Sequence, residues 1–115
     1  MNLKECFNTF GGNYNDVILR LITEERVKKF LLIFLKDTSF SELESAMECK
    51  DYDSAFRAAH TLKGVCANLG IEKLGKLSSE ITEALREKDN ATANKLFPQV
   101  SQCYSITIDA INQLD

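Results

Sequence analysis

The sequence predicts an all-α fold, namely an antiparallel up-and-down four-helix bundle with one or two short extra N-terminal helices. Apolar residues recur every three to four positions along most of the chain, as on the inner face of a packed helix. The one strand-like stretch, residues 104–108, lies inside a longer helical period. Only short breaks separate the periodic segments, and short loops favour antiparallel neighbours. We therefore expect a single domain over residues 1–115, with the bundle core at roughly 24–114.

The N-terminal half of the chain is predicted to hold a short first helical segment and then three helices. Gly11, Gly12 and Asn13 interrupt the first segment, because glycine and asparagine favour turns. The N-cap candidates of the three following helices are, in order, Asn15 or Asp16, then Thr23, then Ser39 or Ser41. The longest apolar run of the chain, residues 30–35, belongs to the second of these helices.

The C-terminal half is predicted to form three longer helices. Asp51 can cap the first of them, and Gly70 can close it in a left-handed backbone conformation. The second helix has an inward stripe formed by Leu74, Leu77, Ile81, Ala84 and Leu85. Asp89 and Asn90 end that helix or cap the last one, in which Pro98 should produce a kink or mark a fresh start near Phe97.

Composition and charge exclude several classes of function. The chain has 14 basic and 17 acidic residues, a net charge of -3 and no basic block, which argues against a nucleic-acid surface. The longest apolar run is too short for a bilayer and no leader is visible, so we expect a cytoplasmic protein without a membrane partner. Its four cysteines show neither zinc-ligand nor redox spacing. A protein partner is therefore expected.

The only histidine of the chain, His60, lies in the middle of a predicted helix and away from its apolar stripe. Residues three and four apart are neighbours on a helix, so Phe56, Lys63, Gly64 and Ala67 share the face of His60. A glycine inside a helix costs about 1 kcal/mol relative to alanine, and room for another molecule beside the ring would explain Gly64. A neutral imidazole is a nucleophile, and Lys63 would place positive charge beside it.

The run His60-Thr61-Leu62-Lys63-Gly64, followed by Asn68-Leu69-Gly70, resembles the histidine-containing phosphotransfer (HPt) domains of two-component phosphorelays. The likeness extends from roughly residue 24 to residue 89, while the C-terminal quarter matches only in being helical. The resemblance implies that Nε2 of His60 exchanges a phosphoryl group with an aspartate of a response-regulator receiver domain. It also implies that Mg²⁺ is held by the receiver, so that this chain needs no metal or cofactor.

Two further sets of residues are predicted to support His60. Contact with the partner is expected from Phe56, Ala67 and Asn68, although Phe56 can equally pack at the bundle edge and Asn68 can merely assist the helix end. Many relatives place Gln or Glu at the position matched here by Thr82, where it orients the imidazole. In this chain the candidates for accepting a hydrogen bond from Nδ1 are Ser78, Ser79, Thr82 or a water molecule.

Three functions are compatible with this pattern. The first is a free-standing, monomeric phosphocarrier that works with receiver domains, a hybrid histidine kinase, or both. The second is the phosphoacceptor domain of a chemotaxis-type histidine kinase. The third is a non-catalytic helical adaptor that binds receiver domains. No Gly-rich phosphate loop is visible, so we expect neither ATP binding nor autokinase activity.

Overall fold

The computed structural model describes all residues of the chain, which form seven α-helices and no strand. The helices are α1 (Leu3–Phe10), α2 (Tyr14–Leu21), α3 (Glu24–Phe34), α4 (Ser39–Glu48), α5 (Tyr52–Leu69), α6 (Glu72–Arg86) and α7 (Asn90–Asn112). The predicted all-α fold is confirmed. Three helices, rather than one or two, precede the bundle that α4 to α7 form.

The four-helix bundle is built from neighbours along the chain. Helix α5 packs against α4 and α6, and α6 packs against α7. The connections within the bundle are two or three residues long, so consecutive helices run antiparallel. The ring of Phe40 on α4 lies parallel to the rings of Phe97 and Tyr104 on α7, with centroids 5.9 and 4.1 Å apart. These stacked rings join the first helix of the bundle to the last.

The N-terminal helices extend the same core. Helix α1 packs against α7 and buries Phe7 and Phe10 almost completely. Helix α2 packs against α3, which in turn contacts α5. One cluster of buried apolar side chains includes residues from all seven helices. The first three helices are therefore part of the packed structure and not an appended arm.

Gly70 joins the N-terminal helices to the turn between α5 and α6. Its backbone is left-handed, with φ +66°, as predicted for the end of α5. A Cβ at this position would lie 2.0 Å from Cγ2 of Val17, so any side chain would displace α2. The Gly70 carbonyl accepts a hydrogen bond of 2.9 Å from the amide of Asn13. Both its conformation and its neighbours thus require glycine here.

Three of the predicted helix caps are confirmed. The side chains of Thr23, Asp51 and Asp89 each accept a hydrogen bond, 3.2 Å long, from the backbone amide three residues further on. These bonds satisfy amides that have no partner inside the first turn of a helix. The starts of α3, α5 and α7 are therefore fixed by local sequence.

The predicted caps of α2 and α4 are wrong. Helix α2 begins earlier than expected, because Asn13, not Asn15 or Asp16, accepts the hydrogen bond, from the Asp16 amide at 3.0 Å. Neither serine caps α4, since Ser39 is already its first residue and Ser41 donates its hydroxyl to a carbonyl. Instead, Oδ1 of Asp37 accepts a hydrogen bond from the Ser39 amide at 2.9 Å.

Helix α7 continues through its proline, so no fresh start occurs near Phe97. Pro98 is exposed, whereas Ala93 and Val100, on either side of it, are completely buried. Packing before and after the proline holds the helix together despite the missing amide hydrogen bond. The strand-like stretch 104–108 lies within this helix, as predicted.

The cysteines occupy two kinds of environment, and all four are free thiols. Cys6, Cys66 and Cys103 are buried, whereas Cys49 is exposed at the end of α4. Burial raises the pKa of Cys6 to about 11, and it also raises the pKa of Cys66 and Cys103. No three metal-binding side chains lie together in a group. None of the helices is at once long and apolar enough to cross a bilayer.

Candidate functional site

The imidazole of His60 lies on the outer side of α5, exposed to solvent as predicted. The opposite side of the helix is fully buried at Ala55, Ala59, Leu62 and Cys66. These residues recur every three to four positions and pack toward the bundle, so their spacing fixes the rotation of the helix. That rotation, in turn, directs His60 outward.

Lys63 and Gly64 lie one turn after His60. No atom of a neighbouring group lies within 4 Å of the place where a Cβ of Gly64 would be, so packing within the protein does not require glycine here. Lys63 is half-buried, not exposed as expected from the sequence. Lysine side chains can bury their apolar stem and still keep the charged group in water. Its ammonium group makes no hydrogen bond or ion pair within the chain.

Phe56, one turn before His60, is half-buried and packs against the core. Its ring is nearly parallel to the imidazole, with an interplanar angle of 10° and centroids 6.1 Å apart. The guanidinium carbon of Arg86, at the end of α6, lies 5.4 Å from the centroid of the Phe56 ring. Arg86 in turn forms an ion pair of 2.8 Å with Glu83. The ring of His60 thus belongs to a small layered cluster.

The three hydroxyl groups proposed to orient His60 make no hydrogen bond to it. Thr82 is buried, and its hydroxyl donates to the carbonyl of Ser78 at 2.6 Å. Ser78 is also buried, and its Oγ has no hydrogen-bond partner. Ser79 is half-buried. Neither ring nitrogen of His60 is hydrogen-bonded to another group of the protein.

The face of His60 continues toward the end of α5 through Ala67 and Asn68, which are both exposed. The carbonyl of Ala67 accepts a hydrogen bond of 3.3 Å from Nη2 of Arg20, which ties α2 to this face. Asn68 lines a shallow groove of about 370 Å³ between α3 and α5, together with Val65 and Ile33. Ile33 is 51% exposed, so the groove offers apolar surface beside the predicted partner-binding residues.

Chemically, the site combines an accessible nucleophile with positive charge. A neutral imidazole has a free lone pair, and no internal hydrogen bond occupies either nitrogen of His60. Lys63 lies three residues after His60 on the helix, so its ammonium group can reach a group that is bound to the imidazole. The nearby carboxylate of Glu83 is engaged by Arg86. This arrangement suits the acceptance of a negatively charged group.

Sequence reasoning missed Arg20, Ile33 and Arg86, because each reaches the site from another helix. Arg86 was within reach of prediction, since the turn at Gly70 makes α5 and α6 antiparallel and brings the end of α6 beside the start of α5. No local pattern indicates how α2 and α3 lie against α5. The positions of Arg20 and Ile33 depend on that packing.

Comparison with known families gives a match to the model of the Hpt domain over residues 35–113. Comparisons with curated proteins and with solved structures gave no significant match. The matched residues span α4 to α7, so the similarity starts later than residue 24 and includes the C-terminal helix, contrary to expectation. Hpt domains take part in histidine phosphotransfer in phosphorelays, where they interact with receiver domains and kinases. Since the match covers most of its length, the chain belongs to the Hpt domain family.

Proposed function

We propose that this chain is a phosphocarrier of a two-component phosphorelay and that His60 is the residue that carries the phosphoryl group. In this proposal His60 accepts the group from a receiver-domain aspartate and returns it to another, and the chain neither binds ATP nor phosphorylates itself. One observation carries the proposal: the only imidazole of an Hpt domain is exposed at mid-helix beside the open space at Gly64.

The proposed transfer exchanges one phosphorus bond for another. Nε2 of the neutral ring attacks the phosphorus of an aspartyl phosphate, and a P–N bond forms while the P–O bond to the carboxylate breaks. The carboxylate leaves with the bonding electron pair, and Nδ1 keeps its proton. Negative charge is spread over the three phosphoryl oxygens during transfer, so a nearby ammonium group stabilises it. Lys63 is the residue we assign to this role.

The receiver domain would supply the remaining chemistry. Mg²⁺ would be bound by acidic residues of the receiver and would screen charge on the phosphoryl group. In the proposal this chain contributes no metal ligand. It contributes a nucleophile, one cation and a clear approach.

The surface that meets the receiver is proposed to extend along α5 from His60 to Asn68. No bulky side chain projects from this surface at Gly64 or Ala67, since neither has a side chain larger than a methyl group. The groove beside Asn68 exposes apolar surface of Ile33 and Val65. Apolar surface at the centre of a contact and polar groups at its edge are typical of protein interfaces.

Incubation with a phosphorylated receiver domain and Mg²⁺ tests the proposal. We expect a label on the protein that is labile in acid and stable in base, and His60→Gln should abolish it. Circular dichroism should show that the His60→Gln variant is folded, since His60 makes no internal hydrogen bond. A label that persists in this variant would reject the assignment of His60.

The same experiment separates the two alternative functions. ATP alone should give no label, and strong self-labelling would contradict the absence of autokinase activity. Receiver binding that never yields phosphorylated His60, whatever the donor, would instead identify a non-catalytic adaptor.

A further inference from the structure

The side chain next to the imidazole of His60 is an aromatic ring and not a hydrogen-bond partner. The rings of Phe56 and His60 are nearly parallel at 10°, with centroids 6.1 Å apart. This distance lies within the range in which offset aromatic pairs attract each other. Because neither nitrogen of His60 is hydrogen-bonded to the protein, this contact is what the structure offers to orient the ring.

The Phe56 ring is itself held from several sides. One part of it packs against the apolar core, so it is only half-exposed. The guanidinium group of Arg86 lies over the ring at 5.4 Å, a distance suited to a cation–π contact. Arg86 also forms an ion pair of 2.8 Å with Glu83 on the same helix. A contact partner held in this way can restrict the motion of a neighbouring exposed side chain.

We propose that Phe56 is a positioning residue for His60, and that stacking on Phe56 replaces in this chain the hydrogen bond that would otherwise orient the imidazole. The inference rests on the proposed function of His60. It gives a reason for the arrangement of α6, where Thr82 is buried and its hydroxyl is bonded to the Ser78 carbonyl. A ring held by stacking does not need that hydroxyl.

The consequence for transfer is specific. A receiver that has docked presents its phosphorus from one fixed direction, so a freely rotating imidazole would be aligned for only part of the time. Loss of the stack should therefore lower kcat by about two- to tenfold, the factor that corresponds to one aromatic contact. The KM for the phosphorylated receiver should not change. Phosphoramidate, a small donor that can approach from any direction, should react at the same rate as before.

Phe56→Leu removes the aromatic ring and keeps an apolar side chain, while Phe56→Tyr keeps the ring and should restore wild-type kinetics. Phe97→Leu is a matched control, because Phe97 is also half-buried and stacks on Phe40 at 5.9 Å and 9°, but it lies on α7. Arg86→Gln leaves the ring in place and removes its cover. This variant should lower kcat as Phe56→Leu does, but by a smaller factor.

A spectroscopic measurement tests the stack without any transfer reaction. His60 is the only histidine, so its ring C–H signals in NMR are unambiguous. We expect ordered ring C–H bonds and a contact with Phe56 protons in the wild type. In Phe56→Leu the ring should become as mobile as an exposed histidine, whereas Phe97→Leu should leave it ordered.

The possible results are distinguishable. A ring that is already mobile in the wild type, or that stays ordered in Phe56→Leu, would overturn the positioning role. A higher KM with unchanged kcat would overturn it too, and would identify Phe56 as a docking anchor. If Phe56→Leu does not fold, Arg86→Gln and Phe56→Tyr still decide the question by the same NMR signals. Failure of every donor to label His60 would defeat the proposed function, while the NMR result would stand on its own.

Discussion

The two sides of α5 differ in what holds them in place. On the inner side, Ala55, Ala59 and Leu62 are completely buried among α4 and α6. On the outer side, His60 makes no side-chain hydrogen bond, its ring lies beside that of Phe56, and the space beside Gly64 is open. Substitutions on the inner side should therefore lower the stability of the fold, and those on the outer side should change transfer without lowering it. The residues of α5 that the fold requires and those that transfer requires thus lie on opposite sides of one helix.

The largest expected effect is on the inner side. Leu62→Ala removes a completely buried side chain and should lower the free energy of unfolding by about 2–5 kcal/mol. Urea denaturation measures this, with Leu19→Ala as the control. Leu19 is 81% exposed, so its loss should change stability by no more than about 0.5 kcal/mol. The folded fraction of Leu62→Ala should still be phosphorylated. Failure of that fraction to react would contradict the assignment of folding to the inner side of α5 and of transfer to the outer side.

Lys63→Ala should affect transfer more than folding. We expect kcat/KM with a phosphorylated receiver to fall roughly tenfold, about 1.4 kcal/mol of transition-state stabilisation, because a cation beside the phosphoryl group is lost. Lys95→Ala removes the same charge from an exposed position on α7 and should leave the rate unchanged. If both variants slow transfer equally, the net charge of the protein and not the position of Lys63 would be responsible.

Two helical glycines compare an open position on the outer side of α5 with a packed position on α6. Gly64→Ala should stabilise the protein by about 1 kcal/mol, since the new methyl group meets no neighbour within 4 Å. At Gly75, on α6, a Cβ would lie only 3.2 Å from Cβ of Cys66, so Gly75→Ala should gain less. Thermal unfolding of the two variants measures the difference.

The longer side chain of Gly64→Gln should also slow transfer from the receiver by about tenfold, because it occupies the approach to the ring. Unchanged transfer would show that Gly64 does not provide clearance.

The smallest effect concerns the cap of α5. Hydrogen bonds from Ser54 lower the pKa of Asp51, so the unfolded chain binds a proton at a higher pH than the folded protein. The stability that Asp51 contributes is therefore present above the usual aspartate pKa of about 3.9 and is lost as the pH falls through the lowered value. Asp51→Ala should reduce Tm by a few degrees at neutral pH, and this gap should close below about pH 4.

Asp109→Ala is the control for this pH dependence. It removes an exposed carboxylate that accepts no hydrogen bond, so it should produce no gap that closes in acid. A constant difference between Asp51→Ala and the wild type at all pH values would contradict the capping role.

Much of α5 could be predicted because its determinants are local. Asp51 and Gly70 define its ends, and the spacing of its apolar residues defines its rotation and hence the exposure of His60. The starts of α2 and α4 could not be predicted as well, since several neighbouring residues of similar capping ability compete there. The hydrogen bonds that the side chains of Asn13 and Asp37 accept decided the result.

The surroundings of the imidazole depend on contacts between distant parts of the chain. Arg86 reaches Phe56 from the end of α6, and Thr82 turns its hydroxyl to its own helix. Helix rotation decides both, and one helix taken alone does not indicate it. The positions of His60 and of Phe56, one turn before it, were thus predictable, whereas the direction of the Thr82 hydroxyl on α6 was not.

The single exposed thiol makes the protein suitable for site-selective labelling. A thiolate is the form that reacts with maleimides, and burial raises the pKa of Cys6, Cys66 and Cys103, which keeps these three thiols protonated. Cys49 lines a groove that also includes Arg57 and Thr61 of α5, the latter next in sequence to His60. A fluorophore attached there would report the arrival of a partner without any cysteine having to be added or removed.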